Sequence, residues 1–441
     1  ISKIIINAAL MIIIGYSSYT LIFIRAQQNP KINYNNPHDV ESAYEYINRE
    51  QYGDWSILHR EKSLIVNSQG NNESWTRYTN NPTDVSFSEV TNFVWDYQFK
   101  EMYFRYFSWQ FIGKENWEDR SWTRNNLNDE KLISLPPLQG ISWLRYGLPL
   151  AFLIGLTGFI YQMLRDWRRW ISVNALFLLT GIAIVIYLNQ SDPQPRERDY
   201  AYVGSFFAFS IWVGIGCYAI INGLHKIIKN NYATAISAAL LLIMMPIYMG
   251  VTDYNEHDRS KRFEAWDYAY NLLNSCEPDA ILFTNGDNDT FPLWYMQEVE
   301  KIRTDVKVVN LSLLNFPSYI KQLDEHSPSL NMFQNNNEYI EIIESENYTK
   351  LLDYAIGRWI VDGDLTININ TKNGAKFNWK FQHGTYSLGL TNFTIMQIIE
   401  TCFDKNPIYF STTTGTNNLG LNNYLLQEGL VYKLVEKEYN N

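Results

Sequence analysis

Four charged side chains stand together in Asp192-Pro-Gln-Pro-Arg196-Glu197-Arg198-Asp199-Tyr200-Ala-Tyr202. Pro193 and Pro195 restrict the backbone, so the charges that follow are presented from a stiff segment. Two arginines at i and i+2 suit a phosphate, which accepts paired N–H donors. The competing reading is an internally paired loop, with Arg196 or Arg198 bonded to Glu197 or Asp199. A second cluster, Asn285-Gly-Asp287-Asn-Asp289-Thr-Phe-Pro292, follows an apolar run and opens a helical pattern. Ligands of open α/β sheets bind at such strand-to-helix turns. Asp287 and Asp289 could bind a divalent metal or accept from sugar hydroxyls. Asn, Asp and Thr are equally ordinary helix caps there. The turn lacks the glycine spacing and lysine of a phosphate loop.

Two further mixtures of acid and base read as structural networks before catalytic sets. One holds Arg49, Glu50 and Asp54; the other is Asn255-Glu-His-Asp-Arg259. The six His have no metal-ligand spacing, and neither a nucleophile elbow nor a Cys-x-x-Cys occurs. Cys276 and Cys402 could pair in an oxidising compartment or stay as two buried thiols.

The elements that must position these residues fall into two kinds. Five stretches are apolar enough to read as membrane spans: Ile4–Ile24, Leu144–Leu164, Trp170–Leu188, Tyr202–Leu224 and Tyr232–Gly250. A span needs roughly 20 apolar residues. Lys3, Arg165, Arg168, Arg169, His225, Lys226 and Lys229 all fall on one side if the spans alternate, which marks that side as cytoplasmic. Residues 25–141 and everything after Thr252 then lie outside. Pro149 and Pro246 fall within spans, where proline is better tolerated than in soluble helices. Trp and Tyr near span ends, and the aromatic stretch Phe93–Phe111, account for much of the chain's 14 Trp, 31 Tyr and 23 Phe. That stretch reads as an amphipathic helix against the outer leaflet or the bundle, or equally as a helix packed in an outer domain, since amphipathicity alone does not say what the apolar face meets. Asp39 is expected to cap a short helix reaching Ile47.

After Thr252 the pattern turns into an α/β alternation. A helix ending near Cys276, a strand at Asp279–Thr284, a helix at Thr290–Ile302 and a strand at Val306–Leu314 predict a parallel pair with a crossover. A helix at Asn392–Phe403 and strands at Pro407–Ser411 and Gly429–Val435 follow. This part carries 15 Lys and Arg against 26 Asp and Glu, whereas the preceding residues nearly balance within a total net charge of -10. Such acidity excludes a nucleic-acid partner. The domain reading is residues 1–24 as one transmembrane helix, 25–141 as a large outer loop, 142–252 as four transmembrane helices and 253–441 as an outer α/β domain.

Several of these motifs resemble glycosyltransferase family 117, the protein O-mannosyltransferase-like membrane proteins abundant in Bacteroidetes. They are Asp192–Phe209, Ile281–Tyr295, Ile302-Arg-Thr-Asp-Val306, Val309–Leu314 and Arg49–Asp54. The resemblance implies an α-helical multi-pass membrane bundle of the C type, partial here, followed by a soluble α/β domain. It implies transfer of a hexose, mannose by analogy, from a polyprenyl-phosphate donor to Ser or Thr of an exported protein. Under it, Arg196, Arg198 and Tyr200 hold the donor phosphate. Glu197, Asp199, Arg49, Glu50, Asp54, Asp287 and Asp289 support the site or face the acceptor. The chain starts at Ile1 with spans like the last ones of the family's bundle. It therefore reads as the back of a longer protein, with the catalytic acid upstream. The expected setting is the bacterial inner membrane, with the outer domain periplasmic. The alternative is a non-catalytic envelope protein whose outer domain binds glycan or protein.

Overall fold

The computed structural model describes residues 2–33, 35–48, 78, 85–115, 140–190, 192, 194, 197–332, 337–345, 348–356, 358–361, 366–380, 389–415 and 419–436. The chain forms two compact units, Ile1–Gly53 with Ser260–Asn441, and Asp54–Arg259.

Among the described residues four helices are long and apolar enough to cross a membrane: Ile6–Ala26, Trp167–Leu188, Asp199–Ile228 and Asn231–His257. Such helices fit membrane association. A fifth, Leu150–Arg165, has 16 residues and falls short of a span. The apolar run had suggested Leu144–Leu164. The helix starts later because Gly147 sits at φ +79 and Pro149 takes the N-cap rather than a helical position. Pro246 does lie inside a helix, where the ladder widens into a π turn at Ile243–Ile247. A proline lacks the N–H that a regular turn would need there.

In the second unit, Ser86 opens a helical run over residues 87–111. Its hydroxyl accepts from the Glu89 N–H while its own N–H donates to the Glu89 carboxylate, a reciprocal cap. The middle of the run, Val94–Phe104, is π-helical. Phe93, Tyr97, Met102, Tyr103, Tyr106, Phe107, Trp109 and Phe111 are buried in one cluster with Phe206, Phe209 and Trp212. The aromatic face of this run therefore meets the apolar helices of its own unit. Leu150–Arg165 and Val203–Ile228 touch backbone to backbone. A Cβ on Gly158 would stand 1.8 Å from the Trp212 carbonyl oxygen, and one on Gly216 would stand 2.0 Å from that of Ile154. Small residues at helix contacts are the usual device for such approach.

In the first unit, Val40–Asn48 is the helix expected after Asp39, whose carboxylate accepts from the Ser42 N–H at 2.8 Å. The main sheet has five strands in the order β2-β1-β6-β8-β7. They are β1 (Ile281–Thr284), β2 (Lys307–Asn310), β6 (Ile408–Ser411), β7 (Leu425–Glu428) and β8 (Val431–Leu434). β1 runs parallel to both β2 and β6, and the β7–β8 hairpin closes the far edge antiparallel. The helix Asp287–Glu298 makes the β1-to-β2 crossover. Successive side chains alternate between two cores. Ile281, Phe283, Val309 and Phe410 pack with Leu390–Cys402, whereas Leu282, Val308 and Tyr409 pack with Ala269, Leu272, Leu293 and Met296. A sheet covered on both faces explains why all four residues of β1 are buried. A second sheet, β3 (Ile360–Val361), β4 (Thr366–Asn370) and β5 (Lys376–Lys380), is antiparallel. It adds Ile367, Ile369, Phe377 and Trp379 to the first core.

Cys276 and Cys402 are both free and buried. They sit in the two different cores, on opposite faces of the sheet, so the pairing left open by the sequence does not form.

Candidate functional site

The loop after Trp167–Leu188 begins at Asn189, which ends the helix at φ +40, a left-handed position that Asn tolerates. Gln98, buried in the π-helical run, donates from Nε2 to Asn189 Oδ1 and to the Gln190 carbonyl, each at 3.0 Å. Farther along, Glu197 meets Arg105 in a fork. Nη1 donates to Oε1 at 3.1 Å and Nη2 to Oε2 at 2.8 Å. The Tyr106 hydroxyl also donates to Oε2 at 2.6 Å, and the Arg198 backbone N–H donates to that hydroxyl at 3.1 Å. The Arg105 guanidinium lies 4.7 Å from the ring centres of both Tyr106 and Trp109.

This arrangement assigns roles. Both oxygens of Glu197 are occupied by donors, so Glu197 anchors the loop and is not placed as a general base. Burial alone would lower the Arg105 pKa, but the Glu197 hydrogen bonds and charge raise it, so the arginine stays charged. Burial and the Glu197 carboxylate push the Tyr106 phenol up. Arg198 is different. It is partly buried, and its Nε donates at 2.6 Å to the neutral Gln194 side chain. Among the described residues no carboxylate forms an ion pair with it. Tyr200, two residues on, is 55% exposed, and Asp199 opens a 3-10 turn at Asp199–Tyr202. The result is a cation held beside an anchored carboxylate with no ion pair among the described residues, which suits an anionic group. Arg196 lies outside the described residues, as do Arg49, Glu50 and Asp54.

Asp287 and Asp289 belong to the other compact unit. Asp287 is exposed. Asp289 is buried, and its carboxylate accepts from the Asn285 N–H at 2.8 Å, the Gly286 N–H at 2.9 Å and the Thr413 hydroxyl. Beneath it, Thr290 Oγ1 contacts Thr284 Oγ1 at 2.6 Å and accepts from Asn310 Nδ2 at 2.8 Å. The turn is internally satisfied, which is the capping reading. Among the described residues no group of three or more His, Cys, Asp or Glu is placed to hold a metal ion.

The Asn255–Arg259 cluster is a network, as its composition suggested. Arg145 Nη2 lies 2.7 Å from Asp253 and 2.5 Å from Glu256, and the Tyr146 hydroxyl donates to Asp253 at 2.5 Å. Arg105 and Arg145 are the residues that motif reading did not assign. The available signal for Arg105 was its place, with Lys100, in a strongly aromatic helical stretch, where a buried cation calls for a partner.

An apolar multi-helix region followed by a mixed α/β domain, with a charged loop fixed at a helix end, defines a membrane-associated class of protein. The family model described as TMEM260-associated domain 2 matches residues 265–354 and 349–440, within the α/β part. The protein O-mannosyl-transferase tmem260 of Dictyostelium discoideum is 22% identical over 292 residues, 60% of this chain. The chain spans 35% of that relative's length. No solved structure matches. The two matches support an O-mannosyltransferase-like family.

Proposed function

We propose that the chain is the C-terminal part of a membrane glycosyltransferase. It uses a polyprenyl-phosphate hexose, mannose by analogy, and glycosylates Ser or Thr of exported proteins at the outer face of the bacterial inner membrane. Arg198, with Arg196 and Tyr200, contacts the donor phosphate. The observation that supports this reading is the Arg198 guanidinium, which has no ion pair among the described residues and follows Glu197, the residue bonded to Arg105. Phosphate binders of this kind stabilise the leaving group, while a carboxylate elsewhere takes the acceptor proton. The named Dictyostelium relative supports the transferase class.

The test is glycoprotein profiling of cells carrying Arg198→Ala in the full-length protein. Loss of O-linked hexose from exported proteins at normal expression is the expected result. An unchanged profile refutes the assignment.

A further inference from the structure

The first unit contains a cleft of about 80 Å³ along β2, the edge strand of the main sheet. Its walls are apolar and aromatic at Trp294, Val308, Leu313 and Tyr319. Three nitrogen-bearing side chains from separate segments line it: Lys31, Lys307 and His326. Lys307 comes from β2. Its ammonium is largely withdrawn from water and donates to the His326 carbonyl at 2.8 Å. Among the described residues no carboxylate forms an ion pair with Lys307; Asp324 acts on it only at longer range. The His326 ring Nε2 is buried and has no hydrogen-bond partner. A largely buried ammonium with only a distant counter-charge and a buried ring nitrogen without a partner among the described residues are both unfavourable. One oxyanion would answer both.

Lys31 adds a second cation. It sits on the rim, 3.4 Å from Glu298, with both side chains well exposed. Such a surface pair is worth little and gives way to a better partner. Lys31 also depresses the proton affinity of Lys307, after the larger effect of burial, which together bring its pKa to about 8. Two cations sharing a cleft repel one another until an anion arrives.

Placement narrows the source of the anion. Lys31 lies five residues after Ala26, the end of the apolar helix Ile6–Ala26. Five extended residues reach at most about 18 Å. Asn33 is fastened to the domain: Gln322 Nε2 donates to its carbonyl at 2.6 Å, and its N–H donates to Gln322 Oε1 at 3.3 Å. The cleft is therefore held close to the end of an apolar helix.

We propose that this cleft binds a phosphate group through Lys307, His326 Nε2 and Lys31, the phosphate being carried by a lipid headgroup or a free phosphate ester. Three donors from separate elements match an ion with several acceptor oxygens. The proposal stands apart from the transferase reading, because it concerns a different unit and none of the same residues.

The experiment uses the full chain in nanodiscs. One arm titrates inorganic phosphate calorimetrically into discs of phosphatidylcholine. The other compares hydrogen exchange over residues 304–328, free phosphate absent, between phosphatidylglycerol-containing discs and a phosphate-free maltoside detergent. Saturable binding in the first arm supports the proposal with a soluble source. Protection of 304–328 in the second supports it with a lipid source. In either arm Lys307→Gln should weaken the effect about tenfold or more, as expected for losing a charged hydrogen bond. Lys31→Gln, on the exposed rim, keeps the test open if Lys307→Gln does not fold; it should weaken binding about threefold. No response in either arm overturns the proposal, as does a response that both substitutions leave unchanged.

Discussion

Replacing Arg105 with Met removes both limbs of the fork to Glu197 while keeping much of the stem that packs on Tyr106 and Trp109. The Arg105 side chain is 10% exposed and that of Glu197 is 33% exposed. Orphaning one member of a fully buried ion pair costs about 3–5 kcal/mol. The partial exposure of Glu197, and the Tyr106 hydroxyl that stays with it, reduce this to about 2–3 kcal/mol. The reverse change, Glu197→Met, leaves Arg105 beside Glu101, whose carboxylate is 3.0 Å from Nε. That change should cost less, about 1–2 kcal/mol. The double variant leaves neither member of the fork unpaired and should lose about 2–3 kcal/mol rather than the sum of about 3–5, a coupling of about 1–2 kcal/mol. Unfolding by urea or heat in detergent measures each corner of the cycle. Each kcal/mol is worth about 2–4 °C for a unit of this size. Strict additivity of the two single changes would show that the fork does not hold the loop.

The packing and titration of other residues make further tests. Gly158→Leu should force Leu150–Arg165 away from Val203–Ile228 and cost more than about 2 kcal/mol, whereas Gly214→Ala, with open space around it, should be near neutral; comparable melting losses for both would contradict the close contact. Gln397 is buried with neither amide atom bonded, so Gln397→Leu should raise stability by about 1–2 kcal/mol, and a lower melting point would count against this. The folded pKa of Lys307 is about 8, below its unfolded value near 10.4, so the unfolded state holds more protons between those values. Stability should therefore rise as pH climbs through that window, and Lys307→Met should flatten the rise in denaturation curves. An equal slope in both proteins would rule out the shift.

Local patterns in the sequence translate directly into structure where the physics is local. Asp39 caps its helix because the accepting N–H belongs to Ser42, three residues on. β1, the crossover helix and β2 are legible because a short apolar run and a 3.6-residue period follow one another without interruption. The second sheet was not legible. Its strands are short, and alternation such as Thr366-Ile-Asn-Ile-Asn370 is buried in Asn-rich surroundings that read as turns. The candidate site was half legible. The charges of residues 197–199 drew attention, but the sorting of Glu197 from Arg198 depends on Arg105, 92 residues away. No nearest-neighbour rule contains that contact. Likewise the 144–164 run has the hydropathy of a span, and only the backbone at Gly147 and Pro149 shortens it.

The fastening of Asn33 to Gln322 also sets an order of assembly. The partners are 289 residues apart in sequence. At about 5–20 residues per second, a ribosome needs roughly 15–60 s to make the second after the first. Throughout that interval the segment behind Ile6–Ala26 has no domain to rest on. Asp54–Arg259, complete in the chain before most of the α/β domain exists, can pack its helices first. The helix Ile6–Ala26 is thus made early but secured last. Defects in Asn33 or Gln322 should show as slow maturation and protease sensitivity during synthesis, before they show as lower stability of the finished protein.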